Sequence, residues 1–300
     1  MFFPTFAYIL TLGKKLNFIL YNTMKIIGCF LSAIALLTVV SCGTTSTVPV
    51  TGRKQYILVS DEQILGLSKQ EYASYMKSAK ISTDATKTAM VKRVGQRLAN
   101  AVETYLKSHN EAAELKNYSW EFNLVKDNSA NAFCMPGGKI VVYEGLLPIT
   151  QNESALAVVL GHEIAHAVAK HSAEQISKKM RQQYGSQILG AVLSGAGISN
   201  ETSNLAQNVF GLGSQFSNLH YSRKNESEAD YMGLIFAAMA GYDPSVAISF
   251  WQRMASNSKS NTPAFLSDHP SDVQRISDIK KWLPEAQKYY KPQSATSKRK

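Results

Sequence analysis

The chain has 300 residues, 45% of them hydrophobic and 18% charged. That balance excludes disorder as the main state and supports one domain of roughly 220 to 250 residues with short additions at its ends. The formal charge of +10 suggests a polyanion partner, but eight of the bases lie in residues 1–41 and 287–300, where there are no acids; the remaining 24 bases against 22 acids give residues 42–286 a charge of +2, which excludes nucleic acid as the expected partner.

Residues 1–41 read as a signal region. Lys25 precedes an apolar stretch, Ile26 to Val40, too short and wrongly flanked for a membrane span. Residues 1–23 carry their own apolar run, Phe2 to Leu12, so Met24 is the expected start. Val39-Val40-Ser41-Cys42 resembles a bacterial lipoprotein signal, which implies cleavage before a lipid-modified Cys42. An amino-terminal anchor that is never cut is the alternative. The expectation is an exported, periplasmic protein, lipid-anchored to the outer membrane. Cys134 is then the one thiol of the mature domain, so no internal disulfide can form.

Residues 42–47 read as the lipidated cysteine and a small polar tether, and residues 48–286 as the folded domain. Ser60-Asp61 predicts a capped helix to about Lys80, and Thr83-Asp84 a second, with Met90, Val91, Val94, Leu98, Val102 and Leu106 at helical spacing. From Tyr118 to Leu124 apolar and polar residues alternate, which predicts a half-buried strand. A second strand is expected at Lys139 to Tyr143, after a tight turn at Pro136-Gly137-Gly138.

Thr150 to Glu153 reads as a capping box that opens a long helix to about Arg181. Residues 184–219, rich in Gly, Ser, Asn and Gln, read as a mobile helical hairpin or lid. Further helices are expected from about Gln215 to Ala240, Ser245 to Ala255 and Ser271 to Leu283, with Gly241 as a left-handed cap. Residues 287–300 form a basic tail with no expected fold. The architecture is α+β and mainly helical, with a small sheet beside the long helix.

That helix carries His162-Glu163-Ile164-Ala165-His166. Two imidazoles four residues apart share a face and suit two corners of a tetrahedral zinc site, while Glu163 can flank the metal and take a proton from water. A catalytic zinc needs a third protein ligand, and His171, His220, Glu226, Glu228, Asp230 and His269 are the candidates. His171, nine residues from His162, should face away on the same helix, and His220 reads as structural. Glu226 and Asp230 share one helical face, where one acid could bind metal and the other fix a histidine N–H. Glu228 falls off that face and should be solvated. His269, in a loop before a helix, could reach the fourth position and hold the site latent.

The pattern His162-Glu163-x-x-His166 followed by Ser222-Arg223-x-x-Glu226-x-x-Ala229-Asp230 is similar to the zinc endopeptidases related to the CAAX prenyl protease and HtpX. Within them it resembles most the periplasmic BepA and LoiP-like lipoproteins. The similarity includes Asn131-Ala132-Phe133 and Pro136-Gly137-Gly138, which look like that family's substrate strand beside the active site, and His269-Pro270 with Arg275. It implies a zincin-like domain of gluzincin type holding one zinc, with Glu226 as the third ligand, Glu163 as catalytic base and Asp230 as a helper. It also implies that the substrates are unfolded or misassembled envelope proteins. The strand at Lys139 to Tyr143, if it borders the cleft, could add an extended substrate as a further strand. The rival expectation is a chaperone or assembly scaffold with a structural zinc and little proteolysis.

Overall fold

The computed structural model describes residues 44–194, 216, 219–257, 265, 266, 269 and 273–292. The signal region with Cys42, most of the expected lid and the tail from residue 293 lie outside the described residues.

Residues expected to be tether instead form a strand: β1 (Thr44–Thr47) pairs with β2 (Lys54–Ile57) in a two-stranded sheet. Ser60 then caps α1 (Asp61–Ser78) through a full capping box with Gln63. Asp84 caps α2 (Ala85–Ser108), where Val91, Val94, Leu98, Val102 and Leu106 are buried, while Met90 only borders the core.

The second sheet has three strands, β3 (Glu121–Val125), β4 (Ala132–Met135) and β5 (Lys139–Tyr143), in the order β3-β5-β4. β5 runs parallel to β3, with Ile140 opposite Phe122, and antiparallel to β4, with Ile140 opposite Cys134. The β4–β5 turn uses Gly137 and Gly138 at φ of +88° and +81°, and a Cβ on Gly138 would lie 2.4 Å from the Trp120 ring. Tyr118 and Trp120, expected in β3, precede it and stack on each other at 4.8 Å.

Both faces of this sheet are buried. Phe122, Leu124, Ala132, Cys134, Ile140 and Val142 join the main core with α2, while Val125, Phe133, Met135 and Val141 join a smaller core with Ile64, Tyr72 and Ile176. β5 therefore reads as an apolar run rather than an alternation. It also has a neighbour on each side, which corrects the expectation that it could accept a substrate strand. Among the described residues β3 and β4 are the outer strands.

Asn152, not Thr150, caps α3 (Glu153–Val168); Thr150 is buried in a preceding one-turn helix, where its hydroxyl donates to the Leu147 carbonyl. Thirteen of the sixteen α3 residues are buried, so this helix is apolar all round and forms the centre of the domain. The expected continuation to Arg181 breaks. Lys170 adopts φ +55°, and a separate helix, α4 (His171–Ser194), leaves in a new direction. The left-handed residue costs about 1 to 2 kcal/mol. Its ammonium is held by Asp61 at 2.8 Å and Glu114 at 3.0 Å, which offsets part of that cost.

Ser222 caps α5 (Arg223–Met239), so this helix starts at Arg223 and not near Gln215. Gly241 follows at φ +79°, as expected for its cap. α6 (Val246–Asn257) and α7 (Val273–Tyr289) complete the fold, and α7 continues through Pro284 past the expected start of the tail. α3 and α5 meet at two glycines. A Cβ on Gly233 would lie 2.7 Å from the His162 amide nitrogen, and one on Gly161 would lie 2.7 Å from the Gly233 carbonyl oxygen. With no side chains there the backbones touch, and the first turns of α5 reach the His162–His166 face of α3.

Candidate metal centre

His162 and His166 come from α3, Glu226 from the first turn of α5, and His269 from the segment before α7. All four are buried, and one donor atom from each lies within 4.8 Å of the others. His162 Nε2 is 3.1 Å from His166 Nε2 and 3.2 Å from His269 Nδ1. Glu226 Oε1 is 3.0 Å from His269 Nδ1 and 3.4 Å from His166 Nε2, and Oε2 is 3.4 Å from His162 Nε2. A tetrahedral zinc with bonds of about 2.0 to 2.1 Å has donor–donor edges of about 3.3 to 3.4 Å, so this nitrogen and oxygen set fits that ion in chemistry and size.

The electrostatics agree at His166 and Glu226; at His162 burial alone would lower the ring, but Asp230 and Glu226 push it up to about 9. Burial holds His166 well below its ordinary value, which leaves the neutral imidazole a metal takes. Burial alone would raise Glu226, but His269 and the other imidazoles hold it well below the carboxylate range, so it is an anion in a cluster of nitrogens. Glu163 behaves in the opposite way. Burial pushes its carboxyl up, and Oε1 is buried with no hydrogen-bond partner among the described residues, 3.4 Å from His269 Nε2.

Both histidines of α3 are held from behind. His162 Nδ1 lies 2.9 Å from Asp230 Oδ1, and Asp230 receives two bonds from the Arg275 guanidinium, at 2.6 and 2.9 Å. Arg275 also donates to Glu226 Oε2 at 3.2 Å and to the His269 carbonyl at 3.2 Å, and lies over the Trp251 ring at 3.7 Å. On the other side, His166 stacks on Tyr221 at 4.1 Å, and its Nδ1 lies 2.8 Å from His171 Nδ1.

The last contact corrects two expectations. His171 does not face away, because the break at Lys170 ends the helix whose phase would have carried it there; it is fully buried against His166. Glu228 is not solvated. It is buried, accepting from Arg53 at 2.7 Å and Thr51 at 2.5 Å, with His171 Nε2 at 2.9 Å. His220 is exposed, and its carbonyl accepts a bond from Gln175. The packing of α3 and α5 thus gathers His162, Glu163, His166, Glu226 and Asp230, with His269 beside them.

The residues expected to bind substrate lie along one wall. β4 packs against α3, and the Cys134 amide donates to the Glu163 carboxyl. Ala132 and Phe133 are buried in β4, and the Asn131 side chain accepts from the Ala132 amide. Gly137 and Pro136 border a small cavity that reaches His166. Gly138 closes the turn.

An HExxH helix crossed by a second helix that brings a glutamate to its two histidines defines a zincin-type metallopeptidase site. The profile described as peptidase family M48 matches residues 86–283, and the chain belongs to that family. It is similar to the mitochondrial metalloendopeptidase OMA1 of Schizosaccharomyces pombe, 40% identical over 188 residues, 62% of this chain and 53% of that protein. The human mitochondrial metalloendopeptidase OMA1 is 31% identical over 264 residues, 86% of this chain and 50% of that protein. The beta-barrel assembly-enhancing protease of Yersinia pestis is 31% identical over 215 residues, 68% of this chain and 40% of that protein. The chain thus spans about half the length, or less, of these three relatives.

These relatives correct the expected location. The OMA1 proteins, up to 40% identical to this chain, are mitochondrial by name, which overturns the reading of a periplasmic lipoprotein of the outer membrane. Among the described residues no helix is long and apolar enough to cross a membrane.

Proposed function

We propose that this protein is a zinc-dependent endopeptidase that hydrolyses unfolded or misassembled proteins as quality control. The carrying observation is the Glu163 carboxyl, with one oxygen buried and, among the described residues, without a hydrogen bond, beside four donors that fit zinc. His162, His166 and Glu226 would hold the ion. The chemistry a bound zinc supplies is Lewis acidity toward a carbonyl oxygen and toward water. Glu163 takes the proton of the attacking water at Oε1 and returns it to the leaving amine. Asp230, held as an anion by Arg275 and His162, fixes the His162 ring rather than moving a proton. β4 is the outer strand nearest the site, so Asn131, Ala132 and Phe133 are the proposed edge for an extended substrate, with Gly137 and Gly138 at its turn. Backbone pairing reads little sequence, which supports broad specificity. The relatives named as enhancing beta-barrel assembly support misassembled envelope proteins as one substrate class, and a place beside the BepA-like branch.

One observation favours the second reading, a scaffold with little proteolysis: with His269 the site has four protein donors, the mark of a structural zinc. We read His269 instead as a latch. The Phe265 amide donates to the Ala130 carbonyl next to β4, and its ring stacks on His269 at 4.7 Å, so Phe265 and His269 lie where a substrate strand would enter. The test is cleavage of unfolded casein by the full chain. Glu163→Gln should keep zinc and lose cleavage, and His269→Ala should raise the basal rate. Cleavage retained by Glu163→Gln would overturn the mechanism; no chelator-sensitive cleavage by either the wild type or His269→Ala would favour the scaffold.

A further inference from the structure

The two histidines of α3 are oriented by different devices. His162 meets a carboxylate directly, whereas His166 meets another histidine, and that histidine meets a carboxylate. If His166 presents Nε2 to the metal, its proton sits on Nδ1, and the atom facing that N–H is His171 Nδ1, 2.8 Å away. His171 must then accept there and carry its own proton on Nε2. That nitrogen points at Glu228 Oε2, 2.9 Å away. Glu228 is kept anionic by Arg53 Nε, which donates to the same Oε2 at 2.7 Å, and by the Thr51 hydroxyl, which donates to Oε1 at 2.5 Å. Arg53 is itself placed by Glu174, through two bonds of 2.7 and 2.8 Å. Every member has one polarity available, and the donor–acceptor sense runs without conflict from His166 to the carboxylate.

We infer that His171 is a positioning residue: with Glu228 it forms a relay that fixes the tautomer and ring orientation of His166 toward zinc. The structure builds this contact deliberately. α3 has to end before His171 for the side chain to turn inward, and it ends through a non-glycine residue, Lys170, in the left-handed region. His171 is 0% exposed, and among the described residues the carboxylates near it are Glu228 and, through Arg53, Glu174. A histidine buried only to fill space would need no anion behind it. Carboxylates behind metal-binding histidines raise ligand basicity, and losing such a partner weakens metal binding by about 10- to 100-fold.

The inference rests on the zinc site proposed above, and its test separates the two. Zinc affinity of the full chain is measured by competition with a chromophoric chelator, together with the thermal stability of the metal-free protein. Wild-type protein that takes no zinc would sink the site itself. Given a zinc-binding wild type, His171→Leu should weaken binding about 10- to 100-fold. His171→Gln, whose amide can accept from His166 and donate to Glu228, should restore it to within about threefold of wild type by the same reasoning. Equal affinities for wild type and His171→Leu, or a Gln variant as weak as the Leu variant, would overturn the relay. If His171→Leu does not fold, imidazole nitrogen NMR of zinc-loaded wild type decides. The relay requires a neutral His171 with its proton on Nε2; a proton on Nδ1 would overturn it.

Discussion

The metal centre has a direct side and a relayed side. On the direct side Asp230 touches His162, and the Arg275 guanidinium that balances it is only 4% exposed and stacked on Trp251. On the relayed side a neutral imidazole separates His166 from its carboxylate, and the balancing Arg53 is 13% exposed, with Glu174 at 22%. A buried charge that loses its partner is far more costly than one that water can reach. The direct side should therefore bear on stability and metal binding together, and the relayed side mainly on metal binding.

Arg275→Met breaks the comparison most sharply. It leaves Asp230 and Glu226 as buried anions without their cation, and should cost about 3 to 5 kcal/mol of folding stability in the metal-free chain, read by denaturant melts. Gly233→Ala tests the joint that both sides share. The added Cβ would press on the α3 backbone at His162, so as much as about 3 kcal/mol should be lost, with zinc affinity falling alongside. Asp230→Asn keeps the shape and removes the charge behind His162. Zinc binding should weaken about 10- to 100-fold in a chelator competition, with cleavage falling in step. Arg53→Met is the mildest. It leaves Glu228, 6% exposed, to the Thr51 hydroxyl and His171, and Glu174, 22% exposed, to water, and thermal melts should show a loss of about 1 to 2 kcal/mol. If Arg53→Met costs as much as Arg275→Met, the contrast between the two sides is wrong.

The direct side was largely legible in the sequence, because its logic is local. His162 and His166 stand one turn apart on one helix, as do Glu226 and Asp230 on another, and helical periodicity alone pairs each set. Glu163 follows from the same phase. The relayed side was hidden by that very argument: extending the phase of α3 beyond Val168 turns His171 outward, and nothing in Ala169-Lys170 announces a left-handed residue, since Lys is not a usual choice there. Glu228 was misplaced for a related reason. It lies off the Glu226–Asp230 face, and only the tertiary approach of Thr51 and Arg53 covers it. β4 left no alternation to read because both faces of its sheet are buried, and it emerged only through resemblance at Asn131-Ala132-Phe133. The amino-terminal pattern around Cys42 misled about location, where the mitochondrial relatives point elsewhere.

The proposed site holds one ion between His162, His166 and Glu226, with His269 at the fourth position. The most direct test is the zinc absorption-edge spectrum of the full chain loaded to saturation, with the metal content measured on the same sample. One zinc per chain is expected, with nitrogen and oxygen neighbours at about 2.0 to 2.1 Å and the multiple-scattering signature of imidazole rings. A sulfur neighbour at about 2.3 Å, which would bring in Cys134, or a shell of oxygens without imidazole, would contradict it.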